Sequence, residues 1–246
     1  MEKIATGFTN NSYRDGNVFY QEKTKNRFNH NLDYSLLEKF DFVPKLIENT
    51  DQYSKWEFIE GSEVTTQDSD LKEIAQIIHQ IHNSKLDFPP HNIGARVREY
   101  QKQLRAKGVK IPVIDDFYRR VNLIISKSRK SVPCHNDLWL FNMKKDENGK
   151  IFLFDWEYAT LGDPHFDLAY FICASNLTPE QEKVFLDSYP GTWWEDYLIN
   201  QKILVNYLVV LWVNVQPEKY FDDSKYINEI YNLAKLYDEK KKNKEF

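Results

Sequence analysis

The β-type stretch at residues 132–156 restricts the fold most, because it interrupts a long run of helical patterns. Apolar residues recur in its segments "VPCH", "FNMKK" and "IFLFDW", and the turn "DENGK" separates the last two. The Asn148-Gly149 pair in that turn, flanked by apolar runs, is a strong indication of a β-hairpin. The sequence therefore predicts a small hairpin within a mostly helical region.

The first part of the chain, residues 1–60, has a pattern typical of a small β-rich unit. Aromatic, partly alternating segments predict strands at 17–23 and 54–61. Between them, residues 33–40 have helical spacing and Pro44 ends that helix. The expected order of strand, strand, helix, strand, strand suits a small α+β lobe.

Beyond Gly61 the pattern becomes helical. The stretch 71–81 carries one apolar stripe, and Asp68 or Ser69 is its expected N-cap. Two further helices are expected near 95–107 and 115–128.

After the hairpin, Thr178 is expected to cap another helix, with Gln181 closing a capping box. The chain is thus predicted to have an α+β fold of two lobes. Residues 1–61 would form a β-rich N-lobe, and residues 62–246 a mainly helical C-lobe.

Composition narrows the class of protein. The 246 residues are 41% hydrophobic and 15% aromatic, enough for a sizeable core. A net charge of −4 with mixed signs gives no bulk attraction to nucleic acid or to an acidic membrane. The N-terminus has no signal-peptide core, and the longest apolar run, 207–215, is too short to span a bilayer.

Cys134 and Cys173 lie in apolar surroundings and read as reduced, buried thiols. Together these features predict a cytoplasmic protein with no nucleic-acid or membrane partner. They leave the oligomeric state open.

Three polar residues have a spacing that indicates phosphoryl transfer. Asn142 follows Asp137 by five residues, and Asp155 follows Asn142 by thirteen, after the predicted hairpin. In the phosphoryl-transfer arrangement an Asp accepts the proton of the substrate hydroxyl, and an Asn and a second Asp hold Mg²⁺. A polyanionic phosphoryl group needs such metal ions, and Mg²⁺ prefers hard oxygen ligands. Asp137 is therefore the candidate base, and Asn142 and Asp155 are the candidate Mg²⁺ ligands.

His135, two residues before Asp137, is a further candidate catalytic residue. Its expected work is structural, through imidazole hydrogen bonds that fix the loop, with a direct catalytic role as the alternative. A plain polar turn is the competing interpretation of the whole cluster. The combination of residue types, spacing, hairpin and second Asp weighs against it.

These segments carry a family resemblance. "CHNDLWLFN" (134–142) followed by "LFDWEYATLGDPHFDLAYF" (153–171) resembles the choline/ethanolamine kinases and the related aminoglycoside phosphotransferases. The resemblance implies a two-lobed protein-kinase-like fold, with ATP as phosphoryl donor and Mg²⁺ as cofactor. The form with Glu157 and Asp167 looks closer to bacterial choline kinases than to antibiotic kinases.

The resemblance extends to the nucleotide side. "TGFTNNSY" (6–13) is similar to the family's loop over the nucleotide phosphates, and "FNHNLDY" (28–34) resembles its acidic helix, with Asp33 at the residue that pairs the nucleotide lysine or arginine. The implied nucleotide contacts are Gly7, Thr9, Asn10, Asn11, Ser12, Lys23, Asp33, Phe58 and Ile59.

Two residues depart from the family's pattern on this side. The family has a phosphate-pairing lysine or arginine on this strand. The matching position here could be Gln21, which leaves Lys23 to serve if the register is shifted. His30 stands where the family's helix has an arginine.

Aromatic residues suggest the acceptor. A quaternary ammonium is bound by the faces of Trp and Tyr, where the cation–π attraction is worth about 2 kcal/mol when desolvated. The resemblance implies a small amino alcohol such as choline, held by Asp137 and by aromatic or acidic neighbours. The candidates for those neighbours are Trp156, Glu157, Tyr158, Trp193, Trp194 and Trp212.

Other interpretations stay open at this point. Each aromatic residue could equally belong to the core. The acceptor could instead be an aminoglycoside, thiamine, homoserine or a sugar, because the catalytic loop handles the phosphate and not the acceptor. A non-catalytic kinase-like binding module is the alternative from another class, motivated by the absence of an obvious strand lysine.

Overall fold

The computed structural model describes residues 1–4 and 9–246. The N-terminal part contains a five-stranded antiparallel sheet in the order β1-β2-β3-β5-β4. A 3-10 helix, Tyr34–Lys39, lies between β3 and β4 where the sequence predicts a helix. The strands are β1 (Glu2–Ile4), β2 (Asn11–Asp15), β3 (Val18–Glu22), β4 (Leu46–Asn49) and β5 (Tyr53–Glu57).

The rest of the chain is mainly helical, with two small sheets. The predicted hairpin is confirmed: β8 pairs with β9, and β6 adds to its other side. A second pair joins β7 to β10. These strands are β6 (Ser62–Glu63), β7 (Val132–Cys134), β8 (Met143–Lys145), β9 (Ile151–Leu153) and β10 (Thr160–Gly162).

The helices occupy most of the predicted helical segments. Pro179 lies in the first turn of α6, and the predicted capping box between Thr178 and Gln181 is confirmed. The helices are α1 (Asp68–Asn83), α2 (Ile93–Ala106), α3 (Pro112–Asp116), α4 (Tyr118–Lys127), α5 (Pro164–Ala174), α6 (Pro179–Ser188), α7 (Glu195–Val215) and α8 (Ser224–Asn243).

The predicted N-cap of α1 is wrong. Gln67 is the capping residue, and Asp68 and Ser69 lie within the first turn. The reason is Asp70, whose carboxylate accepts hydrogen bonds from the backbone N–H and hydroxyl of Thr65 and pairs with Lys145. These contacts hold the pKa of Asp70 down to about 2 although burial opposes the shift. The start of α1 is thus set by a tertiary contact to β8 and not by a local cap.

Gly61 allows the chain to pass from β5 into β6. Its φ is +149°, and a Cβ placed there would lie 1.9 Å from the carbonyl oxygen of Lys145. Glycine is the residue that tolerates both this backbone conformation and so close an approach. The crossing from the five-stranded sheet to the helical part therefore depends on a residue without a side chain.

Helix α7 is the centre of the helical core. It packs against α2, α4, α5 and α8, and Tyr207 in its middle donates a hydrogen bond to the carbonyl of Ile114 at 2.9 Å. By length and composition α7 is apolar enough to cross a membrane, but 67% of that window is buried inside the protein. Its apolar character is therefore that of a core helix.

Candidate active site

The loop after β7 is held by one buried carboxylate from α5. Asp167 accepts the backbone N–H of His135 at 2.8 Å on one oxygen and that of Asn136 at 2.7 Å on the other. Asn136, in the left-handed region at φ 64°, donates its side-chain amide to the carbonyl of Tyr158 and the hydroxyl of Thr160. The backbone N–H groups of His135 and Asn136 and the side-chain amide of Asn136 are thus buried and paired, which offsets the free energy cost of burying these polar groups.

Asp167 is itself supported from behind. His82 of α1 lies 3.2 Å from its carboxylate, and the other ring nitrogen of His82 lies 2.7 Å from the hydroxyl of Tyr189. This Tyr-His-Asp chain connects two helices to the loop. The sequence interpretation missed His82 and Tyr189, because their partners are remote in the chain.

His135 has the structural contact that the sequence predicts. Its Nε2 lies 2.9 Å from the carbonyl oxygen of Phe154, and its ring packs on Trp156 with centroids 4.7 Å apart. Burial lowers the pKa of His135 and favours the neutral ring. The contact ties the loop to the residue before Asp155. His135 is fully buried and is not part of the cavity wall, which speaks against direct catalysis.

Asp137, Asn142 and Asp155 meet at one cavity. The amide nitrogen of Asn142 donates to the carbonyl oxygen of Asp137 at 2.9 Å, and the backbone N–H of Phe154 donates to that of Asn142 at 2.8 Å. Tyr170 lines the same cavity, and burial together with the charge of Asp137 raises the pKa of its hydroxyl. Asn142 is thus bonded to Asp137 through its side chain and to Phe154, the residue before Asp155, through its backbone, which brings the three predicted residues together.

Asp155 has the features of a metal ligand. It lies at φ 59°, ψ 61°, and its Oδ1 is buried without a hydrogen-bond partner among the described residues. Burial, with the nearby charges of Glu157 and Asp137, raises its pKa well above the usual value, and a bond from Gln21 opposes the rise. Since the Asn142 amide nitrogen is already bonded, its oxygen remains for a cation. This set of hard oxygens, short of positive charge, fits Mg²⁺.

The cavity has a volume of about 670 Å³ and lies between the five-stranded sheet and the helices. One end is lined by the sheet and the segment after β5. The other end is lined by α2, α5, α7 and the segment that precedes α8. Asp137 lies where the two ends meet.

The sheet end contains most of the predicted nucleotide contacts. Thr9, Asn10, Ser12, Phe58 and Ile59 line it. Asn11 is exposed and is not among the lining residues, so its nucleotide contact stays a prediction. Gly7 lies outside the described residues.

Lys23, a predicted nucleotide contact, is not among the residues that line the cavity. It follows the last residue of β3, and its ammonium donates to the side chain of Asn49 and the carbonyl of Thr50. Partial burial and the neighbouring charge of Lys25 lower its pKa to about 8. The strand residue that faces the cavity is Gln21, which is buried and bonds Asp155.

Asp33 and His30 also have contacts other than those that the family resemblance implies. Asp33 is exposed and accepts from the N–H and hydroxyl of Ser35, so it caps the 3-10 helix; its predicted nucleotide role is not supported. His30 bonds Tyr34 and Asn10, and burial lowers its pKa to about 3, so it is neutral. His30 also lies 3.2 Å from the buried carboxylate of Glu157, so a histidine–carboxylate contact occurs where the family resemblance implies an arginine.

The helical end is aromatic. Trp156, Tyr158 and Trp212 line it as predicted, although Trp156 is mostly core, stacked on Phe40. The sequence interpretation missed four further lining residues, which come from α2, α5, the α7–α8 connection and α8. They are Arg96, Tyr170, Phe221 and Tyr226. Cys173, expected to be buried, is half-buried at this wall.

Three predicted substrate contacts lie elsewhere. Trp194 is 43% exposed and stacks on His165, with centroids 5.6 Å apart. Trp193 packs against the core without reaching the cavity. Glu157 is buried behind the wall, where it accepts from Asn29 at 2.7 Å, and burial with the charge of Asp137 raises its pKa to about 7.

Comparison with known proteins identifies the family of the chain. Residues 34–197 match the family model described as the phosphotransferase enzyme family. The chain is 44% identical over 233 residues to a protein named LicA homolog from Mycoplasma capricolum, covering 94% of this chain and 97% of that one. A second LicA homolog, from Metamycoplasma hominis, is 44% identical, with 96% of each chain covered.

Solved structures show the fold. The choline kinase LicA from Streptococcus pneumoniae superposes with a TM-score of 0.75 at 20% identity, covering 97% of this chain and 95% of that one. An ADP-bound aminoglycoside phosphotransferase gives 0.64 at 16% identity, with 94% and 90% covered. The predicted resemblance and the protein-kinase-like α+β fold are confirmed.

Proposed function

The chain belongs to the phosphotransferase enzyme family, and on that premise we propose that it is an ATP-dependent kinase for the hydroxyl of choline or a related small amino alcohol. One observation carries the proposal. Asp137 lies in a single cavity between a sheet wall suited to a nucleotide and an aromatic wall suited to a quaternary ammonium. The names of the relatives, LicA homolog and choline kinase, support the same acceptor.

Asp137 is the proposed base. Its carboxylate, held by the bonds of the Asn142 amide, would accept the proton of the acceptor hydroxyl. General-base assistance of this kind contributes about 10²–10⁴-fold to a rate. Asp167 and His135 would act by position, since their bonds hold the loop and the hairpin in register.

Asn142 and Asp155 would hold Mg²⁺, which supplies the positive charge that a transferring phosphoryl group requires. Gln21 would orient the Asp155 carboxylate. Thr9, Asn10 and Ser12 would face the phosphates, and Phe58 and Ile59 the base. In this proposal residues 1–61 are the N-lobe and residues 62–246 the C-lobe of a cytoplasmic kinase.

The acceptor's ammonium would lie at the aromatic end. Tyr158, Tyr170, Trp212 and Tyr226 come from four different elements and line this end, where Arg96 lies over the Tyr158 ring and the rings of Trp212 and Tyr226 are left for the ammonium. Ring faces attract a quaternary ammonium by about 2 kcal/mol when desolvated. Because such a cation has no donor N–H, aromatic faces recognise it without unsatisfied hydrogen bonds.

The test is turnover of Mg-ATP with a panel of acceptors: choline, ethanolamine, thiamine, homoserine and aminoglycosides. We expect ADP and phosphocholine in equal amounts from wild-type protein. Asp137→Asn is expected to lose about 10²–10⁴-fold in kcat with an unchanged fold. Exposed Asp187, paired only with Lys183, offers the matched control Asp187→Asn. Turnover of aminoglycosides without choline would refute the acceptor.

A second function has one observation in its favour. Gln21 occupies the strand position of the expected cation, and Lys23 is engaged with Asn49 and Thr50. A kinase-like module that binds nucleotide or amine without turnover would have this feature. Nucleotide binding by calorimetry, combined with no ADP formation across the acceptor panel, would establish it.

A further inference from the structure

Arg96 places a buried positive charge at the aromatic end of the cavity. The residue lies on α2, is 5% exposed, and lines the cavity. Its guanidinium carbon lies 4.0 Å from the centre of the Tyr158 ring, and its side chain also bonds Tyr100. Two of its nitrogens, Nε and Nη1, are buried without a hydrogen-bond partner in the described part of the chain.

Such an arrangement points to a ligand. A buried N–H group without a partner is rare in native proteins, and the cost is greatest for a charged group. Guanidinium is a planar fork of donors that matches the oxygens of phosphate or carboxylate. The unpaired nitrogens of Arg96 therefore define a subsite for an anionic oxygen group.

The position of Arg96 says which anion reaches it. Arg96 lines the same cavity as Asp137 and Tyr170, and its guanidinium lies over the ring of Tyr158, which lines that cavity too. The guanidinium and the proposed base therefore face one shared space. Lys144, the other lining cation in the described ranges 1–4 and 9–246, lies 5.5 Å from the Phe58 ring at the nucleotide end.

We propose that Arg96 binds the phosphoryl group after its transfer to the acceptor, which makes it a product-binding and specificity-determining residue. The inference rests on the proposed kinase activity. In that reaction the acceptor oxygen bonds to the γ-phosphorus, the bond from phosphorus to the ADP oxygen breaks, and the hydroxyl proton passes to Asp137. The acceptor leaves the reaction with a dianionic group that the substrate lacked.

The charge of Arg96 also separates the two ends of the ligand. Like charges repel strongly at short range in a poorly solvated site. The ammonium is therefore directed to the rings of Trp212 and Tyr226, and the phosphorylated end to the guanidinium. An acceptor with several ammonium groups would have to place one of them against Arg96.

The experiment compares choline with phosphocholine by calorimetric titration in the absence of nucleotide. In Arg96→Met we expect phosphocholine affinity to fall at least about tenfold, while choline affinity is unchanged or improved, since a charged hydrogen bond is lost only for the phosphate. Arg96→Lys keeps the charge without the fork and should lie between. Arg98, exposed on the same helix, gives the control Arg98→Met, with no change for either ligand.

Three outcomes would overturn the inference: equal loss of affinity for both ligands, no loss for either, or no phosphocholine binding by wild-type protein. If Arg96→Met fails to fold, the comparison of Arg96→Lys with wild type decides, because a packing role predicts equal effects on both ligands. Wild-type protein that binds phosphocholine through Arg96 but does not phosphorylate choline would refute the proposed function alone.

Discussion

The two walls that meet at Asp137 are built in different ways. On the helical side, the loop around Asp137 is fixed by buried charged and polar groups: Asp167 and His82 come from helices, and His135 of the loop itself bonds the carbonyl of Phe154 just after the hairpin. On the sheet side, neutral side chains stand where the family resemblance implies ions, with Gln21 on β3 and neutral His30. Under the proposed function, the loop and hairpin would set the phosphoryl-transfer geometry, whereas β3 would meet the nucleotide with the uncharged Gln21, and Lys144 would be the lining cation of that end.

Loss of the loop's anchor should have the largest effect. In Asp167→Asn, one of the two backbone N–H groups would face the amide nitrogen, which is also a donor, instead of a carboxylate oxygen. The site is fully buried, so that N–H group would lose its acceptor. Hydrogen bonds to charged groups contribute about 1.5–3 kcal/mol each. We therefore expect a fall of about 2–4 kcal/mol in the free energy of unfolding, measured by urea denaturation. A fall no larger than in Asp187→Asn would contradict the anchoring role.

The aromatic wall is tested by a pair of tryptophans. Trp212→Leu should raise the KM for choline about tenfold or more, because Trp212 lines the cavity and a cation–π contact contributes about 2 kcal/mol. Trp194→Leu should leave the KM unchanged, because that ring stacks on His165 at the surface. Steady-state kinetics with saturating Mg-ATP decides. Equal effects of the two substitutions would remove the basis for the aromatic site.

The neutral sheet wall is tested by restoring a cation. Gln21→Lys would place an ammonium beside Asp155, where charge-assisted bonds are about twice as strong as neutral ones. We expect nucleotide affinity, measured by calorimetry, to increase about fivefold. Lys23→Gln is the counterpart, and it should change nucleotide affinity little because Lys23 bonds Asn49 and Thr50. A large loss in Lys23→Gln would mean that Lys23 reaches the phosphates after all.

The smallest expected effect is the pH dependence carried by Lys23. Its pKa is lowered to about 8, mainly by burial, whereas the unfolded chain keeps the usual value near 10.5. Between these values the unfolded state binds more protons, so this residue makes stability rise with pH from about 8 to about 10.5.

Lys23 is only partly buried, so solvent screening limits the contribution to less than about 1 kcal/mol. The measurement is the difference in unfolding free energy between wild type and Lys23→Gln across this range. A difference that is constant with pH would show that the pKa of Lys23 is unshifted.

Local patterns predicted what depends on neighbours in sequence. Three such features are the hairpin, the capping box and the spacing of Asp137, Asn142 and Asp155, and each depends on a short stretch of the chain. The structure brings those three polar residues together at one cavity. Apolar periodicity likewise indicated most helices. The family resemblance added the two-lobed kinase-like fold.

The predicted site residues that lie away from the cavity are placed by tertiary contacts or by local hydrogen bonds of their own side chains. Trp193 and Trp194 precede α7, but the sequence does not say which face of the helix end meets the cavity. Asp33 has a short polar side chain that bonds the backbone two residues on, as such residues often do. Lys23 lies one residue past the end of β3, so the alternation of side chains along the strand no longer determines which way its side chain faces. Arg96 and Tyr170 carry no local pattern that distinguishes them from core residues.

The most direct test of the central claim is ³¹P NMR of purified protein with Mg-ATP and choline, for wild type and Asp137→Asn. The account predicts that wild type converts the γ-phosphate signal into a phosphomonoester signal with matching ADP, and that Asp137→Asn leaves ATP essentially intact. The claim would be contradicted by a phosphomonoester formed equally fast in Asp137→Asn, or by a wild-type sample in which ATP yields only inorganic phosphate or does not react.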